Sequence, residues 1–240
     1  MAKKKSNTIL EYATACVEYG VKDNLEDAIA YVRAMRRYKR LCKKYYGINI
    51  TEHTGKLTGF YSISTSSLVN EYCIARSKNP DLICFYCYSN SLQEKRTNLQ
   101  KALIKNTEIL TTQVIDLPPL PVECERFRIE SFGDLQNETQ AENYRKFIDE
   151  NRHVFFGWWS KNSFIIDRIT DFKKPENCNL IASSDRINHI TEEMPKHFNK
   201  RFTVFEHGKC DCINCGAKAC GRCELCYTEN DTVDLYELKK

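Results

Sequence analysis

The stretch His153-Val-Phe-Phe-Gly-Trp-Trp159 decides the fold that we predict for this chain. After its first residue it is apolar on both faces, whereas a strand with one face in water alternates between apolar and polar residues. Strands that are covered on both faces are typical of parallel sheets, because the helices that connect parallel strands pack against them. We therefore expect a parallel sheet around this stretch.

Strands and helices alternate on both sides of this stretch. Further strands are predicted at 59–65, 125–131, 179–184 and 202–206, and helices at 68–77, 91–112, 138–151 and 164–170. This alternation predicts an α/β fold with a parallel sheet, whose expected form is a partial or irregular parallel β/α barrel. We divide the chain into an N-terminal helical segment (1–56), a barrel-like core (57–208) and a cysteine-rich metal-binding tail (209–240). Within the first segment, Asn24 is the predicted cap of a helix that ends at Gly47.

The strand at 125–131 has a clear period of two. Alternate residues of a strand point to opposite faces of the sheet. We expect one face to carry Phe127, Ile129 and Ser131, and the other to carry Arg126, Arg128 and Glu130.

Polar segments follow five of the predicted strands. In parallel α/β folds the chemistry takes place at the carboxyl ends of the strands. Turn and cap formation accounts for about half of these polar positions, and the rest indicate a polar rim at one end of the sheet. The segments are 64–66, 131–134, 160–162, 183–185 and 206–210.

Composition limits the class of protein. The chain has 240 residues, 42% of them apolar, and a mild net charge of +4 that does not by itself argue for nucleic acid. No run is long enough to span a membrane, and the first residues lead into no apolar signal segment. We therefore expect a cytoplasmic protein without membrane contact. Thiols stay reduced there, so clustered cysteines among an odd total of 13 favour metal over disulfides.

The tail holds six of these cysteines between Lys209 and Thr228. Steps of two residues between thiolates allow one ion or cluster to be held in a tight turn. Four ligands suffice; Cys220, Cys223 and Cys226 are the first three, and Cys212 or Cys215 is the fourth. The full candidate set is Cys210, Cys212, Cys215, Cys220, Cys223 and Cys226.

A second group of cysteines, Cys73, Cys84 and Cys87, follows the first predicted core strand. Three thiolates on a four-iron cluster leave one iron open to a small molecule. Tyr86 could pack its ring against such a ligand. Alternatively, Cys73 is a core residue of its helix and the other two cysteines bind a structural ion.

The segment from Arg36 to Tyr46 is basic and aromatic. A solvated helix face is the more common explanation for such a segment. The alternative is a contact with a nucleic-acid backbone or with an acidic partner.

These motifs resemble two families. The segment Cys84-Phe-Tyr-Cys87 and the later Phe132-Gly-Asp134 are similar to those of radical S-adenosylmethionine enzymes, which use three cysteines and a Gly-Gly-Glu-like segment on a partial barrel. A closer resemblance is to the phage gene-product-88 family of cysteine-rich proteins, and it implies a phage or mobile-element origin and a host-cell cytoplasm. The matching segments lie, in order, at 64–67, 84–89, 128–135, 159–162, 179–184 and in the terminal cysteine cluster.

The first resemblance implies roles for single residues. The triplet would hold an active 4Fe-4S cluster, and the tail would hold an auxiliary one. Gly133 and Asp134 would approach the methionine amine of S-adenosylmethionine. The mouth of the barrel would be lined by Ser131, Lys161, Ser183 and Ser184.

Two alternatives remain open at this point. One is a zinc-stabilised module without catalysis that contacts nucleic acid through the basic helix and through Lys209, Lys218 and Arg222. The other is an iron–sulfur protein whose clusters only brace the fold or sense redox state. The sequence identifies neither a substrate nor an oligomeric state.

Overall fold

A computed structural model describes residues 8–239 of the chain. Its centre is a mixed sheet of seven strands in the order in which they occur in the sequence. β1 is antiparallel to β2, and every later neighbour is parallel. The strands are β1 (Thr51–Glu52), β2 (Tyr61–Ile63), β3 (Arg126–Ile129), β4 (Phe155–Ser160), β5 (Cys178–Ser183), β6 (Lys200–Phe205) and β7 (Asp234–Leu238).

Eight α-helices lie within the described residues. Two short 3-10 helices, Gly55–Leu57 and Ile83–Tyr86, accompany them. The α-helices are α1 (Ile9–Glu18), α2 (Leu25–Tyr46), α3 (Glu71–Ser77), α4 (Tyr88–Lys95), α5 (Thr97–Leu110), α6 (Glu138–Asp149), α7 (Ser163–Asp167) and α8 (Cys220–Cys223).

α2 begins and ends where the sequence predicts. The side chain of Asn24 accepts a hydrogen bond from the backbone N–H of Asp27, which satisfies one of the open donors of the first turn. Gly47 ends the helix in the left-handed conformation, with φ of 71°, which glycine adopts without a steric penalty. By contrast, the single helix predicted at 91–112 is wrong: α4 and α5 are separate because Arg96 has extended φ of −131°.

One face of the sheet packs against helices. Phe127 of β3 lies opposite Phe156 of β4, and both rings contact Phe147 of α6. Trp158, two residues further along β4, packs edge-on against Tyr144 of the same helix. All five side chains are buried, so this face forms the main apolar core.

The other face of the sheet is covered by the C-terminal part of the chain. The ring of Tyr227 lies 4.5 Å from that of Phe60 and 5.5 Å from that of Trp159, centroid to centroid. A Cβ at Gly157 would come within 2.7 Å of Trp159 and 3.0 Å of Tyr227, so only glycine allows this close packing. The guanidinium of Arg128 stacks on the Trp159 ring at 3.8 Å.

The α/β prediction with a mainly parallel sheet is confirmed. Within residues 8–239, β1 and β7 are the edges of the sheet and do not pair with each other. An ion pair links the regions beside them, since Nζ of Lys56 lies 3.0 Å from a carboxylate oxygen of Glu237 in β7. The tail also supplies an element of the sheet itself, because β7 pairs with β6 over five residues.

No helix in the described part of the chain has both the length and the apolar character that crossing a membrane requires.

Candidate functional site

Polar side chains gather where β2, β3 and β4 end. The carboxylate of Asp134, just after β3, accepts hydrogen bonds from the Ser160 hydroxyl at 2.6 Å and from the backbone N–H of Lys161 at 2.9 Å. Its own backbone carbonyl accepts one from the Asn70 side chain at 2.8 Å. Asp134 therefore joins the ends of β3 and β4 to the chain that follows β2.

Glu130 is the centre of a second, fully buried group of hydrogen bonds. Its carboxylate accepts from the Thr65 hydroxyl at 2.7 Å, the Gln140 amide at 2.9 Å and the Tyr144 hydroxyl at 2.5 Å. The backbone N–H groups of Thr65 and Gly133 donate to it as well, each at 3.1 Å. Burial raises the pKa of Glu130, and these donors act in the opposite direction because they favour the charged form.

The backbone at Glu130 explains why the predicted alternation stops there. Its φ is 57°, in the left-handed region that residues with a Cβ seldom adopt. The alternation holds up to Ile129, and then Glu130 turns away from Arg128 toward Tyr144 on the helical face. The prediction that Glu130 shares a face with the two arginines is therefore wrong. The five hydrogen bonds to the carboxylate stabilise this strained backbone conformation.

Ser131 takes part in a buried contact with His53, which follows β1. The Nε2 atom of His53 lies 2.8 Å from the Ser62 hydroxyl and 3.2 Å from the Ser131 hydroxyl. The backbone N–H of Ser131 donates to the Ser64 hydroxyl at 2.9 Å. Burial lowers the pKa of His53 to about 3, and the nearby positive charges of Arg128 and Lys39 act in the same direction. The imidazole is therefore neutral at physiological pH.

Gly133 is a point of close approach between two loops. A Cβ at this position would lie 2.4 Å from the Thr65 hydroxyl and 2.8 Å from the Thr65 carbonyl oxygen. Gly133 therefore lets its N–H reach Glu130 while its backbone packs against Thr65.

The segment that carries the cysteine triplet docks on the end of β5. The backbone N–H of Ile83 donates to the Asp185 carbonyl at 2.8 Å, and Arg76 forms an ion pair with the Asp185 carboxylate. The Tyr72 hydroxyl donates to the Lys161 carbonyl at 3.0 Å. These contacts hold α3 and the following 3-10 helix at the carboxyl ends of β4 and β5.

Cys73, Cys84 and Cys87 lie in that segment as free, partly exposed thiols. Burial raises the pKa of Cys73, and the carboxylate of Asp134 and the two other thiols act in the same direction. Burial also raises the pKa of Cys84, against the positive charge of Lys161. Negative charge on Asp134 or on either of the other two thiols would thus disfavour the Cys73 thiolate.

The remaining predicted ligand contacts are more dispersed. Tyr86 is exposed, and Nζ of Lys239 lies 5.2 Å from the centre of its ring. Ser183 is half-buried at the end of β5, beside Phe202 of β6. Ser184 is buried, and its hydroxyl donates to the carbonyls of the loop that follows.

The six tail cysteines fall into two sets. Cys210 and Cys212 lie side by side before α8, with their Cα atoms 5.2 Å apart. The other four remain free thiols around α8: Cys215, Cys220, Cys223 and Cys226.

Two positive side chains lie beside these four thiols. Nζ of Lys56 donates to the Cys215 sulfur at 3.2 Å. Burial raises the pKa of Cys220 to about 11, whereas Lys56 and Arg128 lower it and the thiols of Cys215 and Cys223 raise it. Burial likewise raises the pKa of Cys226, and the thiols of Cys215, Cys220 and Cys223 act in the same direction. Thiols of this set therefore raise the pKa values of one another.

Neither group of cysteines is drawn together as tightly as a bound metal requires. Within residues 8–239, no three His, Cys, Asp or Glu side chains are arranged so that they could hold a metal ion. A surface pocket of about 430 Å³ lies elsewhere, at the amino end of β3. Its lining includes Gly20, Lys22, Asp27, Glu125, Arg126 and Glu224.

Sequence reasoning missed several residues at this end of the sheet. Their contacts join parts of the chain that lie far apart in the sequence, and no local motif marks them. The polar run that begins at Ser64 was the one available signal. The missed residues are His53, Ser62, Gln140 and Tyr144.

Comparison with protein-family models, with curated proteins and with solved structures gives no match for this chain.

Proposed function

We propose that this chain is an iron–sulfur protein of the radical S-adenosylmethionine type, built on an open β/α barrel. The observation that carries the proposal is the position of Cys73, Cys84 and Cys87. They are free thiols held beside the carboxyl ends of β4 and β5, where parallel α/β proteins carry their chemistry. The sequential strand order of β2 to β7 supports the open-barrel form.

The donor set fits an iron–sulfur cluster. Three cysteine thiolates are suitable ligands, and they leave one iron free for a small molecule. Cluster binding would draw the three sulfurs closer than they lie here, as metal binding commonly does when it couples to folding. Such a cluster, held by Cys73, Cys84 and Cys87 and reduced by one electron, would supply that electron for the reductive cleavage of S-adenosylmethionine.

The surrounding residues would position the cofactor. Lys161 places a positive charge near Cys84, which suits the carboxylate of an amino-acid ligand. Asp134 and Gly133 would act by fixing the loop after β3, since the Asp134 carboxylate already holds Ser160 and the Lys161 backbone. Ser131, Ser183 and Ser184 would line the approach, as the resemblance implies, and Tyr86 would pack its ring against the bound ligand.

In the tail, we assign Cys215, Cys220, Cys223 and Cys226 as the ligands of an auxiliary cluster. These four are free thiols around α8. Lys56 and Arg128 would offset the net negative charge of a metal held by four thiolates.

The test is the metal content of protein purified without oxygen, together with its visible spectrum. We expect brown protein that contains iron and acid-labile sulfide. Cys87→Ala should lose about half of the iron, because one of two clusters loses a ligand. The matched control is Cys124→Ala, which removes a free thiol from the buried core.

A zinc module is the second candidate, because four thiolates form a closed set that suits structural zinc. Colourless protein with stoichiometric zinc and no iron uptake on reconstitution would overturn the iron–sulfur proposal in favour of this one. Unchanged iron in Cys87→Ala would overturn the assignment of the triplet alone.

Membership of the phage gene-product-88 family and a host-cell cytoplasm are part of the same proposal. The order of motifs supports the family, and the many free thiols fit a reducing compartment.

A further inference from the structure

α2 concentrates positive charge on one side of the molecule. It contains seven basic and two acidic residues, whereas the whole chain has a net charge of only +4. The helix alone therefore carries more net positive charge than the complete chain. Such an asymmetry indicates a surface for an anionic partner.

The structure divides six of these basic residues into two groups, and the seventh, Lys43, is exposed outside both. Arg36 faces inward and binds both carboxylate oxygens of Glu52 at 2.9 Å, and Nζ of Lys39 lies 5.8 Å from the centre of the Tyr61 ring. These two side chains hold α2 against β1 and β2. They are part of the fold and do not contribute to an open surface.

The second group faces solvent and forms a stripe, which we define as Arg33, Arg37, Arg40 and Lys44. Residues spaced by four, three and four positions lie on one face of a helix. All four are exposed, and within residues 8–239 none of them takes part in an ion pair with a carboxylate. The stripe extends about 16 Å along the helix axis.

We propose that this stripe binds the phosphate backbone of a nucleic-acid duplex. A length of 16 Å matches about five phosphates of one strand, which follow one another every 3.4 Å along the duplex axis. Four positive charges that no carboxylate within residues 8–239 neutralises complement that row of negative charge. Phosphate contacts of this kind position a protein on a duplex without reading its sequence.

The face favours a duplex over a single strand. Proteins that bind single strands use several aromatic side chains on which successive bases stack. Here the exposed aromatic residue next to the stripe is Tyr45, at its end, and Nζ of Lys44 already lies 4.7 Å from its ring centre. An acidic protein surface would be an alternative occupant, and the experiment below distinguishes it.

The test measures the binding of a fluorescent 20-base-pair DNA duplex of arbitrary sequence by fluorescence anisotropy. The measurement is repeated between about 50 and 200 mM salt, because the release of counterions from DNA makes the affinity depend on salt. We expect a slope of log K against log salt of about −3.6, which corresponds to a loss of affinity of about 100-fold over this range. The stripe variant R33Q/R37Q/R40Q/K44Q should reduce the magnitude of the slope by about 3.6.

The matched control removes the same charge elsewhere. Lys78, Lys95, Lys173 and Lys196 are exposed and lie outside α2, so K78Q/K95Q/K173Q/K196Q should keep the slope within about 1 of the wild-type value. Circular dichroism checks that both variants are folded.

Three results would overturn the proposal: no duplex binding by the wild-type protein at 50 mM salt, equal loss in both variants, or tighter binding of a single strand of the same length. The first result would leave an acidic protein as the partner class to examine. The inference does not depend on the proposed clusters, and the metal content of the stripe variant should equal that of the wild type.

Discussion

Buried polar side chains at the ends of β2 and β3 show how single residues define the candidate site. The Nε2 atom of His53 is shared between the hydroxyls of Ser62 and Ser131, in a position with little access to water. Because burial disfavours the charged imidazole, the pKa of His53 falls to about 3 in the folded chain. In the unfolded chain a histidine titrates at about 6.5.

This difference predicts a pH dependence of stability. Below pH 6.5 the unfolded chain binds a proton at His53 that the folded chain does not bind, so the contribution to stability is complete above that pH and is lost as the pH falls. Between pH 7 and pH 5 the wild type should lose about 2 kcal/mol more unfolding free energy than His53→Gln. Urea unfolding of both proteins at the two pH values measures this.

The comparison with His53→Gln removes the contribution of the carboxylates to the pH dependence, because the wild type and the variant contain the same Asp and Glu residues. Equal losses in the two proteins would show that His53 titrates normally in the folded state.

At the scale of elements, the loop after β3 depends on close contact between two backbones. The N–H of Gly133 donates to Glu130, while its Cα packs against Thr65. The added methyl of Gly133→Ala would meet the Thr65 hydroxyl at 2.4 Å and its carbonyl oxygen at 2.8 Å. Because the carbonyl belongs to the backbone, relief requires the loops to separate.

We expect Gly133→Ala to lower the free energy of unfolding by about 2 to 3 kcal/mol, as overpacking of a close contact does. Gly216→Ala is the matched control, because a Cβ at Gly216 has no neighbour within 4 Å. Thermal or urea unfolding of the two variants measures the difference. Equal stability of both would mean that the loop after β3 has room for a side chain.

The elements also show where local patterns succeed and where they stop. Asn24 and Gly47 cap α2 as predicted, because a cap depends on side-chain chemistry within a few residues. The break at Arg96 between α4 and α5 has no such local marker. Similarly, the alternation of side chains in β3 holds only as far as Ile129. The side chain of Glu130 points instead toward its hydrogen-bond partners Gln140 and Tyr144 in α6.

At the scale of the whole molecule, the cysteine-rich tail is packed into the sheet. Its strand β7 pairs with β6, and the ring of Tyr227 fills the space between Phe60 and Trp159. The Asn179 side chain of β5 donates to the carbonyls of Cys226 and Thr228. Removal of the tail would therefore expose both aromatic rings and leave β6 as an open edge.

We predict that a chain ending at Gly208 does not unfold cooperatively in urea and that its tryptophan emission is shifted to longer wavelength. The full-length variant Tyr227→Ala should remain cooperative but should be less stable by about 3 to 4 kcal/mol, because it loses the ring and keeps β7. A cooperative transition of the shortened chain at the wild-type midpoint would contradict this account, and would favour an independent core at 57–208.

The sequence by itself determined the α/β class, the parallel strands around 153–159, the caps of α2 and the grouping of cysteines into a triplet and a tail. These features depend on periodicity and on spacing within short segments, which the order of residues contains directly. Only the tertiary structure decided the partners of Glu130 and His53 and the division of the basic residues of α2. These features depend on which strands and helices become neighbours, because the side chains concerned meet across long separations in the sequence.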